Sequence, residues 1–342
     1  MSLVHIDSCG DAYSADELVD RFSSVSASVP AINGASGRNG TNGIECSTAS
    51  QWFEVSVPDL DTYFSGIAFK PTNISTTTDL FTFKEDGVDH VIIRLLADGS
   101  ISVVQGDATV LGTSSAGLII AGSFTYLEVQ VVIDDTAGVV VVNKDGVEIL
   151  NLTALDTNNG GTSGVIDVIR FQGSTDVVVF DDLYILNATG SAPQNTFLGD
   201  SRIDASFPSA DGDLSNISEV FPTTPTTHFD KVDEVPPDGD TTYVTSATPN
   251  QQDLYALDSL FSVEGADAIY GVQLNLYAKK DNEGGRQVLG LTRPDATTFD
   301  GSTGTLTTAY QYFFSLFDQD PDTAVDWTEA GKNAAQFGVE VL

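Results

Sequence analysis

A chain of 342 residues is long enough for two domains with buried cores, and its 41% hydrophobic and 9% aromatic content excludes a disordered polymer. Its 49 acidic against 14 basic residues leave a net charge of −35, which repels nucleic-acid phosphates and anionic lipid and so argues against both as partners. Both halves share the acids, giving a surface whose self-repulsion is screened in saline surroundings.

The first predicted element is a short helix over Ser14 to Phe22, where SADELVDRF offers a Ser cap, an acidic first turn and Leu18, Val19 and Phe22 at helical spacing. A weak strand is expected over Ser23 to Ile32, followed by a Gly/Asn-rich loop from Asn33 to Gly43. In Gln51–Val57 the residues Phe53, Val55 and Val57 alternate with Trp52, Glu54 and Ser56, the period of a half-buried strand. Further strands are expected at Thr62–Phe69, Leu80–Lys84, Val91–Leu96, Ser100–Val104, Phe124–Asp134, Gly138–Lys144 and Val147–Leu150, with Asp86-Gly87, Asp98-Gly99 and Asp145-Gly146 as turn signals. The near-continuous apolar runs Leu127–Ile133 and Val139–Val142 mark central strands covered on both faces.

Val165–Phe171 and Val177–Leu186 flank Gly173-Ser174-Thr175-Asp176 and read as a hairpin that closes the sheet. Strict alternation would put Phe180 and Tyr184 on one face and Asp181 and Leu183 on the other. Ala188–Gln194 is a small-residue, Pro-containing boundary, so residues 1–190 form one unit, 191–240 a linker and extended loop region with a strand around Phe197–Phe207, and 241–342 a second unit. In that second unit, strands are expected at Tyr243–Ser246, Leu254–Leu260, Ile269–Ala278, Gln287–Thr292, Ala309–Phe317 and Phe337–Leu342, with one helix over Glu329–Ala335 packed by Trp327. Strands recurring this closely leave no room for helical crossovers. The expected fold is therefore all-β, two antiparallel β-sandwich (jelly-roll) domains with few short helices.

The ending Val179-Phe-Asp-Asp-Leu-Tyr-Ile-Leu-Asn187, with Ile169-Arg170-Phe171 before it, resembles the last strands of the concanavalin A-like/laminin-G-like sandwich in proteins of tailed-phage particles. So does the opening, His5-Ile6-Asp7-Ser8, Ala12-Tyr13-Ser14 and Gly37 to Gly43, in a module whose first strand pairs with its last. Asp233 to Val244, Trp327-Thr328 and Gln336-Phe337-Gly338-Val339 resemble the C-terminal module of such proteins. The resemblance implies a non-enzymatic structural or decoration component of a virion, on capsid or tail, partnered by other virion proteins and by its own copies, a homotrimer being expected. Packing and interface work would then fall to Trp52, Phe171, Phe180, Tyr184 and Trp327. A lectin-like adhesin is the alternative, holding host-surface glycans through Arg38, Asn39 and Asn42 on a rim loop. A polysaccharide depolymerase is the third reading.

Catalytic signatures are sparse. Sugar hydrolases of this fold carry two glutamates and an aspartate at alternate strand positions; no Glu-x-Asp-x-Glu occurs here, and Glu128 has no partner at that spacing. His5, His90 and His228 are far apart, and His90 reads as a surface or packing residue. Acidic clusters at Asp181-Asp182, Asp211-Gly212-Asp213, Asp238-Gly239-Asp240 and Asp318–Asp322 are the places Ca²⁺ would bind, against the plainer reading that they cap turns. Asp181 and Asp182 are the strongest metal candidates, because two carboxylates inside a strand need pairing, hydration or a cation. A bridge between Cys9 and Cys46 would add ~3–4 kcal/mol, whereas a reducing compartment favours two free buried thiols. No apolar run approaches the ~20 residues that span a bilayer and no secretory signal pattern opens the chain, so cytoplasmic synthesis is expected, without membrane insertion, before assembly into a particle.

Overall fold

A computed structural model describes residues 2–259, 268–282 and 284–342. It falls into two compact units, Met1–Ile203 and Asp204–Leu342.

The first unit runs β1 (Leu3–Asp7), a 3-10 turn (Ala15–Glu17) leading into α1 (Leu18–Arg21), β2 (Ser24–Val25), β3 (Ala31–Asn33), β4 (Gly43–Cys46), β5 (Trp52–Leu60), β6 (Thr62–Pro71), β7 (Thr78–Glu85) and β8 (Val88–Leu95). It continues with β9 (Ile101–Gln105), β10 (Val110–Thr113), β11 (Thr125–Val132), β12 (Gly138–Lys144), β13 (Val147–Leu155), β14 (Ile166–Gln172) and β15 (Val178–Asn187). Two antiparallel sheets result. The eight-stranded one has the order β13-β12-β11-β6-β15-β4-β3, with β1 also on β15, and the seven-stranded one β10-β9-β8-β7-β14-β5-β2. First and last strands thus pair, Asp7 opposite Leu183 and Leu3 opposite Leu186.

Between the sheets lies an aromatic core. Phe53 of β5 stacks on Phe171 of β14 at 5.1 Å and meets Phe180 of β15 edge-on at 5.6 Å, so rings from both sheets interlock. Two-residue turns follow the expected chemistry: Asp86-Gly87 and Asp145-Gly146 both hold positive φ at both positions (47° and 82°, 48° and 75°), which a twist-matched hairpin turn requires. The helix opens as the sequence indicates, with the Ser14 amide donating to Glu17 at 2.7 Å, but Leu18 and Phe22 are buried while Val19 is 52% exposed. Arg21 takes the inward position instead, its guanidinium 2.6 Å from buried Asp7. Cys9 and Cys46 are free, buried thiols.

The second unit comprises β16 (Pro208–Ser215), β17 (Glu219–Phe221), β18 (Tyr243–Thr245), β19 (Gln252–Leu257), β20 (Val272–Ala278), β21 (Gln287–Arg293), β22 (Phe299–Thr305), β23 (Gln311–Phe317), α2 (Glu329–Ala334) and β24 (Gln336–Val341). A five-stranded sheet, β16-β19-β24-β21-β22, is faced by the two-stranded ladder β20-β23, and β17-β18 form a separate pair. Buried Trp327 anchors this core with Phe317, Ala335 and Phe337, as its place before the helix suggests. The strand expected over Leu254–Leu260 ends at Leu257; Leu260 lies outside the described residues.

Two expectations are corrected. The stretch 191–240 is not one linker and loop region: residues up to Ile203 belong to the first unit, and Pro208–Ser215 and Glu219–Phe221 are strands of the second. Their sequences hide it, because β16 is an edge strand with no buried side chain and no alternation to read. The strand expected around Phe197–Phe207 is absent: this stretch joins no sheet and bends at Asp200. The interface role expected of Phe171, Phe180, Tyr184 and Trp327 does not hold either, since all four are buried within their own unit.

Candidate functional site

The site begins at a fault in β15. Asp181 pairs with Ala68 of β6, yet Tyr184 pairs with Gly66, so two residues of β15 oppose one of β6. Asp182 supplies the extra residue, at φ 51°. This bulge flips the alternation. Phe180 points into the core, while Asp181 and Tyr184 both stand on the outer face of the eight-stranded sheet, reversing the partition that strict period-2 reading gives. Gly66 makes the space: a Cβ there would collide with the Tyr184 ring.

Register then assembles the rest. Tyr126 opposes Ala68 and Glu128 opposes Gly66 on β11, on the same outer face as Asp181 and Tyr184. The Tyr184 hydroxyl donates to Glu128 Oε1 at 2.5 Å, and the Tyr126 hydroxyl donates to the Asp182 carbonyl at 3.1 Å. From the Gly/Asn-rich loop Arg38 reaches over, its guanidinium carbon 5.4 Å from the Tyr126 ring centre and Nη1 3.2 Å from Asp182 Oδ2. Its backbone amide donates to Asp181 Oδ2 at 2.6 Å, and the Asp182 amide to Asp181 Oδ1 at 2.8 Å. Two candidate sets that sequence reading kept apart, Asp181-Asp182 and Arg38, therefore form one cluster.

A strap from Phe197 to Ile203 closes it. The amides of Leu198, Gly199 and Ile203 donate to the Tyr184 hydroxyl (3.3 Å), Glu128 Oε1 (2.8 Å) and Asp182 Oδ1 (2.8 Å). Arg38 donates to the Ser201 carbonyl at 3.0 Å and pairs with Asp200 at 2.5 Å, while the Phe197 ring stands edge-on to Phe64 at 5.3 Å. Glu128, Asp181, Asp182, Tyr126 and Tyr184 are all buried as a result. Burial, then the neighbouring Asp182 charge, holds the Asp181 carboxyl above the usual carboxylate range, against bonds from Arg38, Asp182 and Thr41 that favour its ionised form. Burial likewise raises both tyrosines well above their ordinary value. Glu128 Oε2 is buried with no hydrogen-bond partner among the described residues. A phenol bonded to a carboxylate beside a guanidinium is a constellation able to move a proton, and here the strap's own backbone amides engage it.

The remaining rim residues split. Asn42 is turned inward, donating to the Gly10 carbonyl at 2.9 Å while its amide donates to Asp11 at 2.8 Å; Asn39 sits exposed at the loop tip with φ 61°. The other acidic clusters cap turns or pair: Asp211 accepts from the His228 and Phe229 amides, Asp238 from Thr242, Asp320 from Asp322, and Asp240 pairs with Lys279. Among the described residues, no group of three or more His, Cys, Asp or Glu side chains is placed to hold a metal ion.

Each histidine meets a carboxylate: His5 with Asp7 at 3.8 Å, His90 with Glu85 at 3.1 Å and His228 with Asp253 at 2.6 Å. His90 is fully buried, which settles it as a packing residue; its Nδ1 accepts from the Asn159 amide. Glu85 also accepts from Thr162 and from the Ser163 and Gly164 amides, fixing the loop beside an acidic groove of about 660 Å³ lined by Asp59, Asp61, Asp134 and Asp135. His5 and Asp7 lie two apart on β1 and His90 meets Glu85 across the β7–β8 turn, whereas the His228–Asp253 pair, 25 residues apart, is made only by the return of the chain.

No family model and no curated protein matches the chain. Solved structures of similar path include the alginate lyase Aly36B, at 13% identity over 54% of this chain and 96% of that one with a TM-score of 0.37. Others are the carbohydrate-binding module CBM66 from Bacillus subtilis (7% identity, 48% and 94% covered, TM-score 0.35) and the galectin LEC-6 from Caenorhabditis elegans (10%, 41% and 94%, TM-score 0.29).

Proposed function

We propose that the chain is a non-enzymatic protein that works by contact, a structural or adhesive component of a tailed-phage particle. One observation carries the non-enzymatic part. The converging carboxylates, phenols and guanidinium of the first unit are engaged by the chain's own strap, through three backbone amides and one carbonyl. A catalytic cleft keeps such groups facing a space that substrate can enter. The particle assignment comes from the resemblance at both ends of the chain, and the acidic surface suits a component displayed in salt.

Incubation with alginate, neutral glucans and sialylated glycans, followed by detection of new reducing or unsaturated ends, tests the reading. No product above the level of a Glu128→Gln control is expected; sustained product formation that the substitution abolishes would replace contact with turnover. Density-gradient sedimentation of a lysate then checks the particle assignment, with the chain expected in the particle fraction and not among free proteins.

A further inference from the structure

We propose that the Asn39-Gly40 step at the tip of the Gly/Asn-rich loop is a self-modifying site, where the Asn39 side chain cyclises onto the backbone and reopens as isoaspartate, loosening the turn that holds Asp181. The chain contains four Asn-Gly steps, beginning at Asn33, Asn39, Asn42 and Asn159. A glycine after asparagine carries no Cβ to shield its amide nitrogen from the neighbouring side chain, so all four share the chemistry. Structure separates them.

In three of the four the leaving nitrogen is tied. Asn33 Nδ2 donates to Glu45 at 2.5 Å, Asn42 Nδ2 to the Gly10 carbonyl at 2.9 Å and Asn159 Nδ2 to the Asp89 carbonyl at 3.0 Å. Their backbones are ordered as well: Asn33 closes β3 opposite Gly43, the glycine that follows Asn42, and the Asn159 amide donates to His90 Nδ1. Asn39 has no such tie. Its side chain is exposed without a hydrogen-bond partner among the described residues, and a Cβ on Gly40 would meet nothing within 4 Å. The pair lies in a single 3-10 turn, Arg38–Gly40, at φ 61° and 83°, and the poorly aligned hydrogen bonds of such a turn open readily.

The reaction needs only water. The Gly40 amide nitrogen gives up its proton and attacks Asn39 Cγ; a C–N bond forms, the Cγ–Nδ2 bond breaks, and ammonia leaves with that proton. Water then opens the ring. Cleavage at Cγ leaves aspartate, whereas cleavage at the main-chain carbonyl leaves isoaspartate, whose backbone runs through the side chain and is longer by a carbon atom. That atom enters a closely tied turn: the Gly37 amide donates to the Thr41 carbonyl at 3.0 Å, and the Arg38 amide and the Thr41 hydroxyl both donate to Asp181 Oδ2, at 2.6 and 3.0 Å. Lengthening the path between Arg38 and Thr41 moves these two donors apart, so a change at the exposed tip reaches the buried cluster. The inference holds whether the chain works by contact or by turnover.

The full chain, aged at mildly alkaline pH and read by peptide mass spectrometry with fragment ions that separate Asn39 from Asn42, provides the test. Asn39 should turn into the acid about tenfold faster than Asn33, Asn42 or Asn159, the effect on rate of a hydrogen bond that need not be broken. In denaturant the four rates should converge. The aged chain should accept methyl groups from isoaspartyl methyltransferase, and hydrogen exchange on its isoaspartate fraction, separated by ion exchange, should show the Arg38 amide opening about tenfold faster than in fresh protein. Asn39→Asp, which adds the charge without the extra backbone atom, should keep the Arg38 amide protected. The proposal is overturned if another Asn-Gly step reacts as fast as Asn39 in the folded chain, if no isoaspartate forms, or if Arg38 protection survives its formation. Equal loss of protection in Asn39→Asp overturns it too, because charge and not backbone length would then loosen the turn.

Discussion

Glu85 carries the clearest acid sensitivity of the first unit. Burial opposes its charge, but bonds from the Ser163 amide, His90, Thr162 and the Gly164 amide outweigh it and bring the carboxyl from an ordinary value of 4.5 down to about 2. A depressed folded value stabilises above the unfolded one and is lost as pH falls, so this contribution is complete above about 4.5 and vanishes towards about 2. Melting curves across that window should fall less steeply for Glu85→Gln than for the wild type; equal slopes would refute the assignment. Asp181 has the opposite sign. Its folded value is raised, so the stability it allows is present in acid and declines as pH rises through that value. Between the ordinary value of 3.8 and the folded value of about 8, Asp181→Asn should flatten the decline in melting temperature even if it lowers the curve as a whole. Tyr184→Phe removes the donor to Glu128 and leaves a buried carboxylate short of a partner, which should cost about 1–3 kcal/mol in denaturant unfolding; an unchanged midpoint would show that the bond is dispensable.

At the scale of elements, Val131 tests the central placement of β11. It is fully buried, opposite Tyr63 of β6 and Val140 of β12, so Val131→Ala should cost about 1–3 kcal/mol through the cavity it leaves. An unaltered stability would move β11 out of the centre of the sheet. Strands with two neighbours were legible in the sequence, because burial on both faces writes continuous or alternating apolar runs, as in β6, β11, β12 and β15. Three edge strands were not: β10, β16 and β22 each have one neighbour and largely solvated side chains, and only structure reveals them. The candidate site was half legible. The Asp181-Asp182 oddity and Arg38 could be named from sequence, but the bulge that turns Tyr184 to the face of Asp181 adds a single residue and leaves no periodic trace. Glu128 and Tyr126 join only through register, and the strap only through a chain return, neither of which a local pattern encodes.

For the whole molecule, a net charge of −35 makes stability depend on ionic strength. Screening shortens from ~10 Å at 0.1 M salt to ~3 Å at 1 M, so melting temperature should rise over that range in sodium chloride; a fall would show that attractive pairs such as Arg38–Asp182 and Arg21–Asp7 outweigh the diffuse repulsion. The decisive feature, however, is that the first unit closes its own polar face with residues 197–203. Hydrogen exchange followed by mass spectrometry on peptides covering that segment tests it most directly. Protection of the Leu198, Gly199 and Ile203 amides, weakened in Tyr184→Phe, is the predicted result. Complete exchange within seconds, as in an unstructured peptide, would mean that the cluster lies open, and the case for contact over turnover would fall with it.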